Sequence, residues 1–231
     1  MKYLGSKRLI AKHILPVMLS IRRPGQIWVE PFVGGGNMIE RVTGPRIGAD
    51  VNRWAIEALQ AIRDEPEKLP KNNSEFTEKD WDRLRSGEWD YKYKGFAGFA
   101  YSFGAQWLDS WSRDSAGSDY VRAAYNSAQK QSLKLQGVKL VCASYKELYI
   151  PPESFIYCDP PYERTAGYKG TKRFDHAEFW QWCRDMANEG HTVFVSEYKA
   201  PQDFLCMREI SHITSMSRKN PARTEKLFTY F

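Results

Sequence analysis

Residues 159–162 read Asp-Pro-Pro-Tyr and directly follow an apolar run at residues 155–158. An apolar run that stops at an acid and two prolines predicts a buried strand with an abrupt end, because proline has no backbone donor. Open α/β sheets bind their ligands at the carboxyl ends of the strands. A carboxylate acceptor, a rigid turn that aims a carbonyl group and an aromatic ring would together suit one ligand, a planar ring with an exocyclic amine.

A second candidate site follows the strand predicted over residues 27–29, where Glu30 leads into a glycine run at residues 34–36. Glycines after a strand let the backbone approach a ligand closely. Asp50 ends the next predicted strand, about 20 residues after Glu30, which is the spacing expected of an acid that binds ribose hydroxyls. The alternative is an ordinary tight turn, with Asp50 merely preceding a helix cap.

The glycine run is not a regular GxGxxG, and no GxxxxGK[ST] phosphate loop is present in the sequence. Both NAD and ATP are therefore disfavoured as cofactors. A nucleoside cofactor without phosphates fits the pattern better, and S-adenosylmethionine is the commonest candidate of that kind.

Strands and helices alternate at the start of the chain, which predicts a parallel sheet with right-handed crossovers. Prolines, lysines and aromatic residues replace this alternation at residues 65–135, which we interpret as an inserted lobe between the two parts of a catalytic domain, residues 1–64 and 136–231. Strands are predicted at residues 27–29, 46–49, 138–143, 155–158 and 192–196, and a terminal hairpin at residues 210–216 and 226–231. Helices are predicted at residues 6–20, 37–42 and 178–188, and from Asn52 onwards.

The composition is that of a globular protein of 231 residues with a formal net charge of +6, which permits a polyanionic partner. The four cysteines are widely spaced, without a CxxC pair or histidines at metal-ligand spacing, so we expect free thiols and no metal. Lys12, His13 and Pro16 interrupt the first apolar stretch. Neither a signal peptide nor a membrane span fits it, and we expect a soluble, intracellular protein.

Four segments resemble the Dam-type DNA adenine-N6 methyltransferases of bacteria and phages, in both order and spacing: residues 2–7, 30–36, 50–52 and 159–162. With the tail at residues 223–227 the resemblance covers nearly the whole chain. It is weakest in the inserted lobe, which cannot be aligned residue by residue. The resemblance implies an α/β, Rossmann-like S-adenosylmethionine-dependent methyltransferase fold, with the insert as a mainly helical target-recognition lobe.

The resemblance and the sequence pattern together give three sets of candidate residues. The catalytic candidates are Asp159, Pro160, Pro161 and Tyr162. The cofactor-binding candidates are Tyr3, Lys7, Glu30, Pro31, Phe32, Gly34, Gly36, Asp50, Ser144 and Asp159. The DNA-binding candidates are Arg8, Arg113, Lys172 and Arg173, with Arg113 on a polar loop at residues 110–119 that is expected to order on DNA. For any one of these basic residues the alternative is an ordinary solvated face.

The exocyclic amine of adenine is a weak nucleophile because its lone pair is delocalised into the ring. The expected mechanism must therefore raise the electron density on this nitrogen. The Asp159 carboxylate and the Pro160 carbonyl would accept its two N–H bonds, while Tyr162 stacks on the base. This requires the base to be flipped out of double-stranded DNA, and the methyl group then passes directly to nitrogen. We expect no metal, membrane or obligate protein partner, and a cytoplasmic location in a bacterial or phage-infected cell.

Other functions remain open at this point. Enzymes that methylate cytosine N4, adenine in RNA or glutamine side chains use a similar turn, in which an acid or amide is followed by two prolines and an aromatic residue. Analysis of the modified group would distinguish these substrates. The chain could also be a silent DNA-binding module, which would bind the cofactor without turnover. No Pro-Cys nucleophile typical of cytosine carbon-5 methylation is present. The recognition sequence and the oligomeric state are not predicted.

Overall fold

The structure, a computed structural model, describes residues 1–162, 174–212 and 223–231. The strands that it describes form one sheet. They are β1 Trp28–Glu30, β2 Arg46–Asp50, β3 Val138–Cys142, β4 Phe155–Cys158, β5 Thr192–Glu197, β6 Leu205–His212 and β7 Arg223–Tyr230. Their order across the sheet is β3-β2-β1-β4-β5-β7-β6.

Five neighbouring strands, β3 to β5 in sheet order, are parallel. β7 runs antiparallel between β5 and β6. β4 is buried along its whole length, as expected of a parallel strand that is covered on both faces. This open, doubly wound α/β sheet is Rossmann-like, which confirms the predicted α/β fold class.

Six α-helices surround the sheet in the described ranges. They are α1 Ala11–Ile21, α2 Arg53–Asp64, α3 Glu78–Ser86, α4 Lys94–Ala100, α5 Tyr120–Leu135 and α6 His176–Asn188. α2 begins where predicted, because the Asn52 side chain caps it by accepting from the Trp54 amide at 3.1 Å. No helix in the part of the chain that the structure describes is long and apolar enough to cross a membrane.

The five predicted strands before the terminal hairpin are confirmed to within a residue or two. The hairpin is confirmed as β6 and β7, but β6 begins five residues before the predicted start, and residues 213–216 of the prediction lie outside the described residues. Two predicted helices differ from the structure. The first starts later, after a 3-10 turn at Lys7–Leu9, and contains Pro16. The second is only a 3-10 turn at Ile39–Arg41, because the few residues between Gly36 and Gly44 are too short a stretch to nucleate an α-helix.

Residues 65–135 contain α3, α4 and α5. Most of the large aromatics of this segment are buried or half-buried, and they join the same hydrophobic cluster as α1, α2 and the β1 side chain Trp28. α4 and α5 pack on α2, and α5 leads directly into β3. The division of the chain into a catalytic domain and an inserted lobe stays a prediction.

Candidate active site

The candidate site lies where three parallel strands end side by side. β1 is paired with β2 on one side and with β4 on the other. The glycine-rich loop follows β1, Asp50 ends β2, and residues 159–162 follow β4. The chain order reverses between β1 and β4, and ligands of such sheets bind at the carboxyl edge of this switch point. The fold thus brings the three predicted motifs to one edge.

The glycine-rich loop is closely packed against Tyr3. Gly34 and Gly36 have φ values of +48° and +70°, which favour glycine. A Cβ on Gly34 would lie 3.0 Å from the Tyr3 ring, and one on Gly35 would lie 2.7 Å from the Tyr3 Cβ. The Tyr3 ring also packs against Phe99 of α4, with centroids 5.0 Å apart. The glycines therefore allow the loop to pack closely against Tyr3.

Asp50 connects the end of β2 to this loop. Its Oδ2 accepts from the Gly34 amide at 3.0 Å, and its Oδ1 accepts from the Asn52 amide at 2.9 Å. Burial raises the pKa of Asp50 above its ordinary value, and the two amide bonds oppose that shift. Each carboxylate oxygen has a second lone pair, so the carboxylate keeps acceptor capacity. Val51, directly after it, is 73% exposed.

The remaining cofactor candidates at this edge differ in their burial and in their contacts. Pro31 is buried, whereas Phe32 is half-buried and packs its ring 5.5 Å from that of Tyr145. Ser144 follows β3, and its hydroxyl donates to Glu147 at 2.8 Å. That bond caps the local turn, so the Ser144 side chain already has a structural role.

Glu30 is in the interior rather than at the open edge. It is 2% exposed, and its Oε1 accepts from the Trp28 indole at 2.8 Å. Burial raises its pKa to about 8, so Glu30 is largely protonated at neutral pH. Among the residues described here, no group of three or more His, Cys, Asp or Glu side chains is arranged to hold a metal ion.

Two of the four catalytic candidates, Asp159 and Tyr162, form a largely buried charged cluster with Lys7 and Glu225, which we call the Lys7 cluster. Between them, Pro160 is buried and Pro161 is exposed. The Lys7 Nζ lies 2.7 Å from Asp159 Oδ1 and 3.1 Å from Glu225 Oε1. It also lies 4.5 Å from the centroid of the Tyr162 ring, and the Tyr162 hydroxyl donates to Glu225 Oε1. The Lys7 side chain is 6% exposed, whereas 21% of the Asp159 side chain remains accessible.

The electrostatics of this cluster follow from burial and from one cation shared by two carboxylates. Burial raises the pKa of Asp159 to about 6; the Lys7 charge opposes the shift, and the Glu225 charge adds to it. Burial also disfavours the charged form of Lys7, but Asp159 and Glu225 outweigh that effect and raise the Lys7 pKa. At neutral pH the cluster therefore contains an ammonium group and an ionised Asp159.

Glu225 and Tyr198 are the site residues that sequence reasoning missed. Tyr198 packs its ring edge-on against Tyr162, with centroids 4.6 Å apart. Glu225 is 5% exposed and shares the buried side of β7 with Leu227 and Thr229. A carboxylate on the buried side of an alternating strand was the signal that could have identified it.

The predicted DNA-binding residues are dispersed. Arg8 is exposed, and so is Arg113, whose Nη1 lies 3.6 Å from Glu78 Oε1 of α3. Lys172 and Arg173 lie outside the described residues. In the loop at residues 110–119, the Asp114 carboxylate accepts from the amides of Ala116 and Ser118, so it organises a local turn.

Arg8 borders a cleft of about 270 Å³ between the N-terminal segment, α4 and α5. Its rim carries Lys2, Arg8 and Lys130, and its floor is made mainly of Phe96 and of alanines from α4 and α5. No acidic residue lines it. We call it the basic cleft.

Comparison with known proteins gives one family match and a set of structural matches. Residues 3–88 match the family described as D12 class N6 adenine-specific DNA methyltransferase. No curated protein matches significantly. Thirty solved chains resemble the fold. One of them is SMU.472, described as a methyltransferase and crystallised in complex with SAH; it is 12% identical at a TM-score of 0.37, over 98% of this chain and 53% of that one.

The chain thus spans about half the length of that solved structure. The family match covers Tyr3, Lys7, the glycine-rich loop and Asp50, and ends within the segment that was predicted as an insert. Three of the four segments that resemble Dam-type enzymes thus fall in the matched range, whereas residues 159–162 and the tail at residues 223–227 lie outside it. The chain is therefore similar to the D12 class N6 adenine-specific DNA methyltransferases over residues 3–88, which are less than half of its 231 residues.

Proposed function

We propose that the chain transfers a methyl group from S-adenosylmethionine to the N6 amine of adenine in double-stranded DNA. One observation carries the proposal. A partly accessible Asp159 carboxylate and the Tyr162 ring lie at the switch point of the sheet, beside the glycine-rich loop and Asp50. An acceptor for an amine, an aromatic ring and an acid suited to ribose hydroxyls are thereby collected at one edge.

The residues present fit S-adenosylmethionine. Asp50 is held by two backbone amides and retains lone pairs for ribose hydroxyls. The exposed Val51 side chain beside it offers an apolar surface for an adenine ring. Phe32 and Ser144 follow β1 and β3, the two strands that flank β2, at the same edge of the sheet. The bound cofactor would supply a methyl group on a sulfonium centre.

Asp159 and Tyr162 would act on the target base. The ionised carboxylate and the Pro160 carbonyl accept hydrogen bonds from the N6 amine, which raises electron density on nitrogen as it attacks. Tyr162 replaces the stacking that the base loses when it is flipped out of the duplex. The amine would gain the methyl group that the bound cofactor supplies, and the proton displaced from N6 would pass to solvent.

The Lys7 contacts suggest a role that differs from direct cofactor binding. Its ammonium group is directed to Asp159 and Glu225, and it also donates to the Gly5 carbonyl at 3.3 Å. We therefore assign Lys7 to the orientation and ionisation of Asp159. A lysine point charge close to a carboxylate favours its ionised form, which is the form that accepts from an amine.

The basic cleft is the proposed contact for DNA phosphates near the site. Lys2 at its rim immediately precedes Tyr3, which packs on the glycine-rich loop. Three cations without an acidic neighbour in the lining suit a polyanion. Arg113, on the loop at residues 110–119, is a candidate for a further contact.

The test is transfer of labelled methyl from S-adenosylmethionine to unmethylated duplex DNA, with the product base identified by mass spectrometry. The wild-type protein should form N6-methyladenine. Asp159→Asn should form about a hundredfold less or none, since it removes the charged acceptor. Asp64→Asn, at an exposed aspartate paired with Arg63, is the matched control and should retain activity.

Failure of the proposal would take recognisable forms. Methylation at cytosine N4, or of RNA alone, would identify a different substrate for the same site. Binding of S-adenosylmethionine without transfer to any of these substrates would favour a silent binding module. Full activity in Asp159→Asn would contradict the role given to this carboxylate.

A further inference from the structure

Glu225 reaches the site through the topology of the sheet. β7 is antiparallel to β5, and Lys226 is paired with Glu197 at the carboxyl end of β5. The first residues of β7 therefore lie at the same edge of the sheet as the segment after β4. Glu225 is 5% exposed there. The proposed chemistry assigns it no contact with the base or the cofactor.

The contacts of Glu225 converge on the two groups that would hold the base. Its Oε1 lies 3.1 Å from the Lys7 Nζ and accepts a hydrogen bond from the Tyr162 hydroxyl. The same Lys7 Nζ lies 2.7 Å from Asp159 Oδ1. A single carboxylate thus fixes the far end of the Tyr162 ring and one side of the cation that orients Asp159.

We propose that Glu225 is a positioning residue for methyl transfer, whose carboxylate holds Lys7 and Tyr162 and so orients the Asp159 carboxylate and the Tyr162 ring towards the target base. The inference rests on the proposed function. It differs from a purely structural role, in which Glu225 would only neutralise Lys7. Misplacement of reacting groups by about 1 Å can cost about a hundredfold in rate, so small changes at Glu225 should reach the chemistry.

Glu225 should also act on the charge of Asp159. The groups facing Asp159 come from five segments: Lys7 before α1, Glu30 at the end of β1, Tyr157 on β4, Tyr162 in the turn after it, and Glu225 on β7. Among them the Glu225 charge raises the pKa of Asp159. Removal of that charge, with the side chain otherwise conserved, should lower the Asp159 pKa.

The kinetic test is Glu225→Gln in the full chain, assayed by methyl transfer to duplex DNA. We expect kcat to fall roughly tenfold or more, with a smaller change in the KM for S-adenosylmethionine. Glu209→Gln is the matched control, since Glu209 is an exposed glutamate on β6 that pairs with Lys226 at 2.5 Å. If the two variants have equal kcat, the proposal is overturned.

A titration tests the electrostatic effect of Glu225 on Asp159 and needs no substrate. The Asp159 carboxyl is followed by carbon-13 NMR in the wild type and in both variants; its pKa should be lower in Glu225→Gln and unchanged in Glu209→Gln. An unchanged Asp159 pKa in Glu225→Gln would contradict the electrostatic part of the proposal. If wild-type protein methylates no DNA, the proposed function fails, while this titration still decides whether Glu225 sets the state of Asp159.

Tyr162→Phe gives an independent check, because it removes the hydrogen bond between Tyr162 and Glu225 and leaves the Glu225 carboxylate in place. If Glu225 acts through Tyr162, the double variant should lose less activity than the product of the two single losses. Independent, multiplicative losses would exclude that coupling. If Glu225→Gln does not fold, an unchanged kcat in Tyr162→Phe overturns the proposal by itself.

Discussion

The ammonium group of Lys7 lies 2.7 Å from the carboxylate of Asp159 and joins the segment before α1 to the turn after β4. The contact is buried on the lysine side, at 6% exposure of that side chain. Two motifs that are distant in the sequence are thereby parts of one ionic cluster. The state of the proposed catalytic carboxylate depends on a residue of the N-terminal motif.

Lys7→Met should destabilise the fold, because it leaves Asp159 and Glu225 buried without their shared cation. Loss of one partner of a buried ion pair typically costs about 3–5 kcal/mol. Urea unfolding at pH 8 measures the loss, and Lys12→Met, at an exposed lysine of α1, is the matched control.

Acidification should reduce the cost of Lys7→Met, because protonation removes the unpaired charges. The difference in free energy of unfolding between this variant and the wild type should therefore shrink as the pH falls from 8 to 5. A loss of stability that is independent of pH would indicate a packing defect instead of an unpaired charge.

Methyl transfer should depend on pH through Asp159. Burial raises its folded-state pKa to about 6, and only the ionised form accepts hydrogen bonds from the amine at both oxygens. As pH falls through about 6 the rate should decline, by about tenfold per pH unit well below that value. Initial rates of kcat/KM over a range of pH measure this. A profile that stays flat well below pH 6 would exclude a rate-determining role for the ionised carboxylate.

The first five strands of the sheet and the turn after β4 were predictable because each has a local signal. The apolar run at residues 155–158 ends at two prolines, and Asn52 caps the helix that follows Asp50. Such signals depend on neighbours a few residues apart. The same local reasoning identified Asp50 and Asp159 as acids at strand ends.

The Lys7 cluster could not be predicted in this way. Glu225 reaches Tyr162 only because β7 inserts between β5 and β6, a long-range pairing that no local pattern specifies. The contact between Tyr3 and Gly34 likewise depends on how the N-terminal segment crosses the sheet edge. The glycine run suggested a ligand because glycine leaves space, but the space beside Gly34 is filled by a side chain of the same chain.

Glu30→Gln should change how stability depends on pH. The folded-state pKa of Glu30 is raised by burial from 4.5 to about 8, so the folded protein binds more protons than the unfolded chain between these values. Stability from this group is therefore greatest at low pH and is lost as pH rises towards 8. Glutamine does not titrate and can still accept from the Trp28 indole.

Urea unfolding at pH 6 and pH 8.5 tests this. Between these values the wild type should lose roughly 1 kcal/mol or more relative to Glu30→Gln. Glu67→Gln, at an exposed glutamate, should follow the wild type. An identical pH dependence in Glu30→Gln and the wild type would show that Glu30 is not held protonated in the fold.

Neutralisation of the basic cleft should weaken DNA binding in a salt-dependent manner. Arg8 and Lys130 lie on its rim, and no acidic side chain in its lining competes with a phosphate for them. Each phosphate contact releases condensed counterions, so Arg8→Ala or Lys130→Ala should lower the slope of log affinity against log salt by about 1. Fluorescence anisotropy with labelled duplex DNA at several salt concentrations measures the slope. Lys226→Ala, at a cation already paired with Glu209 on the β6–β7 hairpin, should leave the slope unchanged. If Arg8→Ala and Lys130→Ala kept the same slope as Lys226→Ala, the phosphate contacts would lie elsewhere on the protein. A cation that contacts no phosphate releases no counterions on binding, so its removal leaves the slope unchanged.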